Sequence, residues 1–166
     1  MKTNIGGWAQ ALSKKYGISW DMAKNIITSY TKHSIEKLCN GERVVLVGLA
    51  SITPKEETSL YFATPAYDCM LISKEYGITP ATAWGIVSGF MEMAREAILR
   101  GEDVTIRGLC TLKLAREYET QRIFNVHIDI SRTLVDKLKS HGVVARAKVN
   151  VKLRHDLLNI YQEKAV

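Results

Sequence analysis

Shifting the sequence against itself by 60 residues lays Ala11 to Ile52 over Leu71 to Leu112 without a gap, and 13 of the 42 aligned positions are identical. Ser13-Lys14-Lys15-Tyr16-Gly17-Ile18-Ser19 meets Ser73-Lys74-Glu75-Tyr76-Gly77-Ile78-Thr79. Gly41-Glu42-Arg43-Val44-Val45-Leu46-Val47-Gly48-Leu49 meets Gly101-Glu102-Asp103-Val104-Thr105-Ile106-Arg107-Gly108-Leu109. Such a period calls for two copies of one supersecondary unit. A chain of 166 residues has room for one ordinary domain or two very small ones. Each copy is too small to stand alone, so the expectation is two half-cores sharing one hydrophobic interior.

Within each copy the hydrophobic period changes from helical to strand-like. A first helix, at roughly 4–16 and 68–76, stops at Gly17 or Gly77, the residue best suited to a left-handed C-cap. Ser19 and Thr79 sit where an N-cap belongs, and Pro80 occupies the first helical position, where its missing N–H is harmless. The second helix carries Ala23, Ile26, Ile27, Tyr30, Ile35 and Leu38 in one copy, matched by Ala83, Ile86, Val87, Phe90, Ala94, Ala97 and Ile98 in the other. Spacings of three and four put these residues on one face. Gly41 and Gly101 stop the helix, and two short β-branched runs separated by Gly48 or Gly108 read as a strand pair. Gly85 and Gly89, in one row with Ala81, cost up to ~1 kcal/mol each relative to alanine inside a helix. They predict a close helix crossing rather than a ligand site.

The predicted organisation is a helix-helix-strand-strand half at 1–53, a linker at 54–66, a second such half at 67–117, and strand-helix units at 118–142 and 143–166. Leu60, Tyr61 and Phe62 in the linker are expected to pack on the body. In the tail, Ile123 to Ile130 reads as a strand, and Ser131 as the N-cap of a helix over Thr133 to Ser140 closed by Gly142. Ala145 to Leu153 reads as the last strand and His155 to Gln162 as the last helix. The fold class is α+β.

With 46% hydrophobic and 24% charged residues the chain is globular rather than disordered. Its longest nearly uninterrupted apolar run, Val44 to Ile52, is about half of the ~20 residues a membrane span needs. The first eight residues show neither an apolar signal segment nor a small-residue cleavage site, so an intracellular protein is expected. Cys39, Cys69 and Cys110 are an odd number without CxxC spacing. That fits neither a disulfide framework nor a zinc site, and buried free thiols are expected. His33, His127, His141 and His155 lack HxxxH and HExxH spacing, no Gly-rich loop follows a strand, and there is no nucleophile elbow. The expectation is therefore a non-enzyme, with no catalytic residue, metal, cofactor, small-molecule substrate or membrane partner.

Several motifs match a known pattern: Ala11 to Ser19 at the first helix and turn, and Arg100-Gly101-Glu102-Asp103-Val104-Thr105-Ile106-Arg107-Gly108-Leu109-Cys110-Thr111-Leu112 at the strand pair. Ile130-Ser131-Arg132-Thr133-Leu134-Val135-Asp136-Lys137-Leu138 and Lys152-Leu153-Arg154-His155-Asp156-Leu157-Leu158 stand at the closing strand-to-helix junctions. In these motifs the chain resembles the HU and integration host factor (IHF) family of bacterial DNA-bending proteins, over nearly its whole length but in a rearranged order. The resemblance implies a single-chain pseudo-dimer of two interlocked HU/IHF-like units, with both cores preceding both C-terminal units. The family's Gly-Phe-Gly-x-Phe becomes Gly48-Leu49-Ala50-Ser51-Ile52 and Gly108-Leu109-Cys110-Thr111-Leu112, which keeps the apolar positions. The family's long β-arm, tipped by an intercalating proline, has as counterpart only about Glu117 to Gln121, and no proline follows Pro80. Kinking of DNA by a wedge is therefore not implied.

The net charge of +6 is unevenly placed: residues 1–106 hold eleven Lys/Arg and eleven Asp/Glu, and residues 107–166 hold twelve and six. Localised charge builds a field over one face and attracts polyanions. Arg146, Lys148, Lys152 and Arg154 share a parity along the predicted last strand, opposite Val149, Val151 and Leu153, which makes one face basic and the other apolar. Arg107, Lys113, Arg116 and Arg122 lie near strand ends of the second copy and extend the candidate patch. In the family the sheet forms the saddle on which the duplex sits. The neighbouring strand offers Asn125, His127 and Asp129, which makes the saddle lopsided. Two functions follow as alternatives. One is an architectural protein that binds double-stranded DNA through its backbone, independent of sequence. The other is a structural subunit of an assembly such as a phage virion, in a head-tail connector or ring, whose basic face meets neighbouring subunits. The matching locations are the cytoplasm, in association with the nucleoid, or a virion.

Overall fold

Two hydroxyls start the two longest helices. Ser19 and Thr79 accept from the backbone N–H of Met22 and Thr82, both at 3.1 Å, and so cap α2 (Trp20–Cys39) and α4 (Pro80–Leu99). A shorter helix precedes each, α1 (Ile5–Tyr16) and α3 (Pro65–Tyr76). These end at Gly17 and Gly77, whose φ values of 65° and 66° are left-handed. The strands β1 (Val44–Leu46) and β2 (Ala50–Pro54) follow α2, and β3 (Val104–Ile106) and β4 (Cys110–Arg116) follow α4. The chain closes with β5 (Ile123–Ile130), α5 (Arg132–Ser140), β6 (Ala145–Val149) and α6 (Val151–Glu163). The computed structural model describes residues 5–57 and 65–163; Leu60, Tyr61 and Phe62, expected to pack on the body, lie outside them. The described fold is α+β, with six helices and two three-stranded antiparallel sheets. No helix among the described residues is long and apolar enough to cross a membrane.

The sheets have the orders β1-β2-β6 and β3-β4-β5, so each copy takes its third strand from the tail. Both tail strands leave their sheets at an equivalent point. The N–H of Ser131 bonds to the carbonyl of Leu109 and that of Asn150 to the carbonyl of Leu49, both at 2.8 Å. The helices that follow then cross over: β5 lies beside β4 of the second copy while α5 packs on α2 of the first. β6 lies beside β2 of the first copy while α6 packs on α4 of the second and along β5.

The helical layer is shared between the copies. α1 packs on its neighbour α2 and also on α4, and α3 on α4 and also on α2. Gly85 and Gly89 make the first of these crossings possible. A methyl on Gly89 would lie 2.7 Å from Cδ2 of Leu12, and one on Gly85 would collide with the Tyr16 ring. The positions 60 residues earlier carry Asn25 and Ser29, and there the Tyr76 hydroxyl bonds to Ser29 Oγ at 2.7 Å and donates to the Asn25 carbonyl at 3.3 Å. One crossing is made by removing side chains and the other by satisfying them. Inward residues of both copies form one buried cluster that includes Leu12, Ile26, Ile52, Ile72, Phe90 and Leu112.

The repeat diverges most sharply in charge. On α1, Trp8 meets Phe90 edge-to-face at 5.3 Å between centroids. On α3 the equivalent residue is Asp68, 2% exposed, whose carboxylate accepts from Lys37 Nζ at 3.0 Å. Burial raises the pKa of Asp68, against the opposing effect of the Lys37 bond and charge. Burial, with the Asp68 charge second, also pushes the Tyr30 phenol well above its ordinary range.

The tail corrects one boundary. The strand expected over 145–153 ends at Val149, because the Asn150 side chain accepts from the N–H of Leu153 at 2.9 Å and caps α6. Lys152 and Arg154 consequently stand on a helix, and the parity argument that joined them to Arg146 and Lys148 does not apply to them. The linker is also shorter than 54–66 suggests, since Pro54 belongs to β2 and Pro65 to α3.

Gly89→Ala gains up to ~1 kcal/mol in helix propensity but overpacks the crossing, and a net loss of about 1–2 kcal/mol is expected. In a Leu12→Ala background the same change should cost measurably less; equal costs in urea unfolding of the two backgrounds would refute the crossing. Lys37→Met strands the Asp68 carboxylate and should cost about 3–5 kcal/mol near neutral pH. A carboxyl with a raised folded-state pKa binds its proton more readily folded than unfolded. Stability therefore falls as pH rises from the ordinary Asp range through the raised value, and returns as pH drops. The Lys37→Met deficit should accordingly shrink on acidification, whereas Lys37→Met with Asp68→Leu should be closer to neutral and lack that pH dependence.

Candidate nucleic-acid interface

Both sheets turn their buried side chains toward the helices and so present the opposite faces to solvent. On β6 the pairing Ser51↔Lys148 and Thr53↔Arg146 places Arg146 and Lys148 outward, with Ala147 and Val149 inward opposite Ile52 and Ala50. The alternation read from the sequence holds over this stretch. Arg146 and Lys148 are exposed and form no ion pair among the described residues. Two residues along a strand span about 7 Å, or two charge steps of one DNA strand at 3.4 Å each. Lys152, in the first turn of α6, is likewise exposed and unpaired among the described residues.

β5 runs against β6 as the edge of the other sheet. Its outward residues Asn125, His127 and Asp129 stand opposite Ala115, Lys113 and Thr111. Lys113 is exposed but shares its charge with Asp129, Nζ to Oδ2 3.4 Å. The expected lopsidedness is therefore present: free cations lie on the β6 side and a neutralised pair on the β4–β5 side. At the far end of β5 the register slips between Ala115 and Arg116. Ile123 stays buried while Phe124 turns to solvent, 46% exposed, as a bulge re-aims its extra residue.

The other candidate cations are dispersed. Arg154 is half-buried: its guanidinium donates to Asn125 Oδ1 at 3.2 Å and to the Val126 carbonyl at 3.3 Å, which ties α6 to β5. Arg116 donates to the Gly101 carbonyl at 2.7 Å. Arg107 occupies the β3–β4 turn and Arg122 the hairpin between β4 and β5, so they stand at opposite ends of β4, about 20 Å apart. Both are exposed and unpaired among the described residues. The structure thus brings Arg146, Lys148 and Lys152 to one region, assigns Arg154 and Arg116 to the scaffold, and leaves Lys113, Arg107 and Arg122 at the margins.

Cys69 and Cys110 are buried, as expected, while Cys39 is half-buried. Burial pushes the Cys69 thiol up to about 11 and the Cys110 thiol up to about 12, which disfavours the thiolate. At the tip of the β4–β5 hairpin, outside the basic set read from the sequence, Tyr118 is 94% exposed. An aromatic flanked by Glu117 and Glu119 inside a turn is the signal that marks it.

The chain matches no protein-family model, and no curated protein is significantly similar to it in sequence.

Arg154→Ala removes two hydrogen bonds from a charged donor and should lower stability by about 2–3 kcal/mol, seen as a reduced melting temperature. Lys152→Ala should change it by less than about 0.5 kcal/mol.

Proposed function

We infer that the chain is an armless, single-chain pseudo-dimer related to the HU and integration host factor family, and that it is a non-enzymatic protein binding double-stranded DNA through the backbone. The observation that carries this reading is the outward face of β6, where Arg146 and Lys148 stand exposed and without ion partners, next to Lys152 at the start of α6. Cations that are already solvated and unpaired release condensed counterions from DNA without first breaking a protein contact. The crossover of the tail helices and the mutual packing of the helical hairpins support the pseudo-dimer. The β4–β5 hairpin, limited to a short turn at Glu117–Gln121, supports contact without intercalation. Arg146, Lys148 and Lys152 can meet phosphates without any base contact, which supports sequence-independent binding.

About three to five phosphate contacts predict a log-log salt slope near −3 to −4.5. Arg146→Glu with Lys148→Glu should abolish binding to a long duplex at low salt, whereas Arg116→Ala should leave the slope nearly unchanged. A gel-shift series across salt tests both, and wild-type protein that fails to bind at low salt would sink the proposal.

The alternative, a building block of a larger assembly, is favoured by the exposed apolar side chains Tyr118, Val144 and Val151, which are 94%, 62% and 67% accessible. Mass measured without DNA across a concentration series separates the readings: a stable monomer that binds DNA supports the first, and a DNA-free oligomer the second.

A further inference from the structure

The two tail helices seal their halves unequally. In the second half, Tyr161 of α6 lies over the end of α4, where its hydroxyl donates to the Leu99 carbonyl at 3.1 Å and stands 2.9 Å from where a Cβ on Gly101 would lie. Two turns earlier Arg154 bonds to Asn125 and Val126. Matching Asn150 with Ser131, as their equivalent bonds to Leu49 and Leu109 direct, puts Val135 at the place of Arg154 and Gly142 at the place of Tyr161. Val135 lines one site with a short apolar side chain, and Gly142, past the end of α5, has none to close the other.

What remains is a groove. At the end of α2 a hollow of about 340 Å³ opens between Cys39, Gly41, Pro54, Lys55 and Val144. Cys39 and Gly41 are the 60-residue counterparts of Leu99 and Gly101. The Cys39 carbonyl, equivalent to the one Tyr161 bonds, accepts no hydrogen bond among the described residues. A smaller hollow of about 60 Å³ adjoins it, lined by Val135, Leu138 and Lys139 and sharing Val143 and Val144 with the first.

We propose that this groove receives Tyr118 of a second copy of the chain, so that copies associate head to tail. The Tyr118 phenol would take the role that Tyr161 plays in the other half, with its hydroxyl donating to the Cys39 carbonyl. Glu117 and Glu119 flank the tyrosine, while the groove carries Lys55 and Lys139 against the single carboxylate of Glu56 and so keeps a net positive charge. Pro54–Glu56, on the groove, is the repeat equivalent of Leu114–Arg116, at the root of the hairpin. Hairpin and groove therefore lie at repeat-related ends of the molecule, and their union is heterologous, which builds rings or filaments rather than a closed twofold pair. The proposal rests on the assembly reading and does not depend on DNA binding.

The full-length chain supplies its own probe, because Cys39 lines the groove. With Glu119→Cys, which keeps Tyr118, mild oxidation should yield species of two and more chains, whose disulfide maps by peptide mass to residue 119 and Cys39. A bridge joining residue 119 to itself, or no bridge, overturns the proposal. Two surface variants give a second measurement that does not depend on a thiol. Tyr118→Ser destroys the hairpin end and Val144→Glu the groove end, so each alone should sediment as a monomer, while an equimolar mixture forms a dimer and nothing larger. Oligomers that persist in Tyr118→Ser overturn this surface while leaving assembly intact. A wild type that stays monomeric at every concentration overturns both.

Discussion

The packing of the two helical hairpins against each other is the contact on which the rest of the molecule stands. α1 completes its burial against α4 and α3 against α2, so that Leu12 and Ile72, each worth about 1.5–3 kcal/mol when fully buried, depend on the opposite copy. The turns of the strand pairs rest on this packing as well. A Cβ on Gly48 would lie 3.5 Å from Arg95 of α4, and one on Gly108 would lie 3.5 Å from Thr31 of α2. Arg95 in turn pairs with Asp156 of α6, which locks the last helix onto the same layer. A half of this size without its partner would expose most of what it buries.

Duplication supplies two equivalent environments, and divergence fills them by different physics. One crossing sets an aromatic pair, Trp8 on Phe90, where the other sets the buried pair of Lys37 and Asp68. The first is a dispersion contact that ignores pH; the second exchanges desolvation against a short charge-assisted bond and is sensitive to protonation. The tail diverges likewise. Arg154 and Tyr161 satisfy backbone carbonyls in one half, whereas Val135 and Gly142 leave the same region of the other half open. A repeat protein of this type is informative where its copies disagree, because each copy is a control for the other.

Electrostatics separates the cations by role. Lys37, Arg95, Arg116 and Arg154 are engaged by carboxylates or carbonyls and act as fasteners, and Lys113 is offset by Asp129. Arg146, Lys148 and Lys152 retain their charge for solvent or a partner. Counting basic residues along the last 60 positions therefore overstates the field that the folded surface offers, since three of the eight proposed cations, Lys113, Arg116 and Arg154, are already engaged.

Much of the local architecture was legible in the sequence because it depends on near neighbours. Gly17, Ser19, Gly77, Thr79 and Pro80 mark the helix boundaries, β5 spans Ile123–Ile130 as its alternation suggests, and Gly85 with Gly89 announces a tight crossing. The end of β6 escaped because Asn150 is compatible with strand and with helix cap, and the spacing of Leu153, Leu157 and Tyr161 competes with the alternation of Val149, Val151 and Leu153. A long-range contact resolves that competition: the Asn150 N–H is held by the Leu49 carbonyl, and its side chain is then free to cap α6. The same holds for the site. Periodicity and composition alone announce two copies of a helix-helix-strand-strand unit and the gathering of positive charge in the tail. The folded chain decided which third strand serves which sheet, which cations remain free, and where the two halves differ in closure. Those outcomes depend on groups far apart in the chain competing for the same carbonyls and the same space, which no local pattern records.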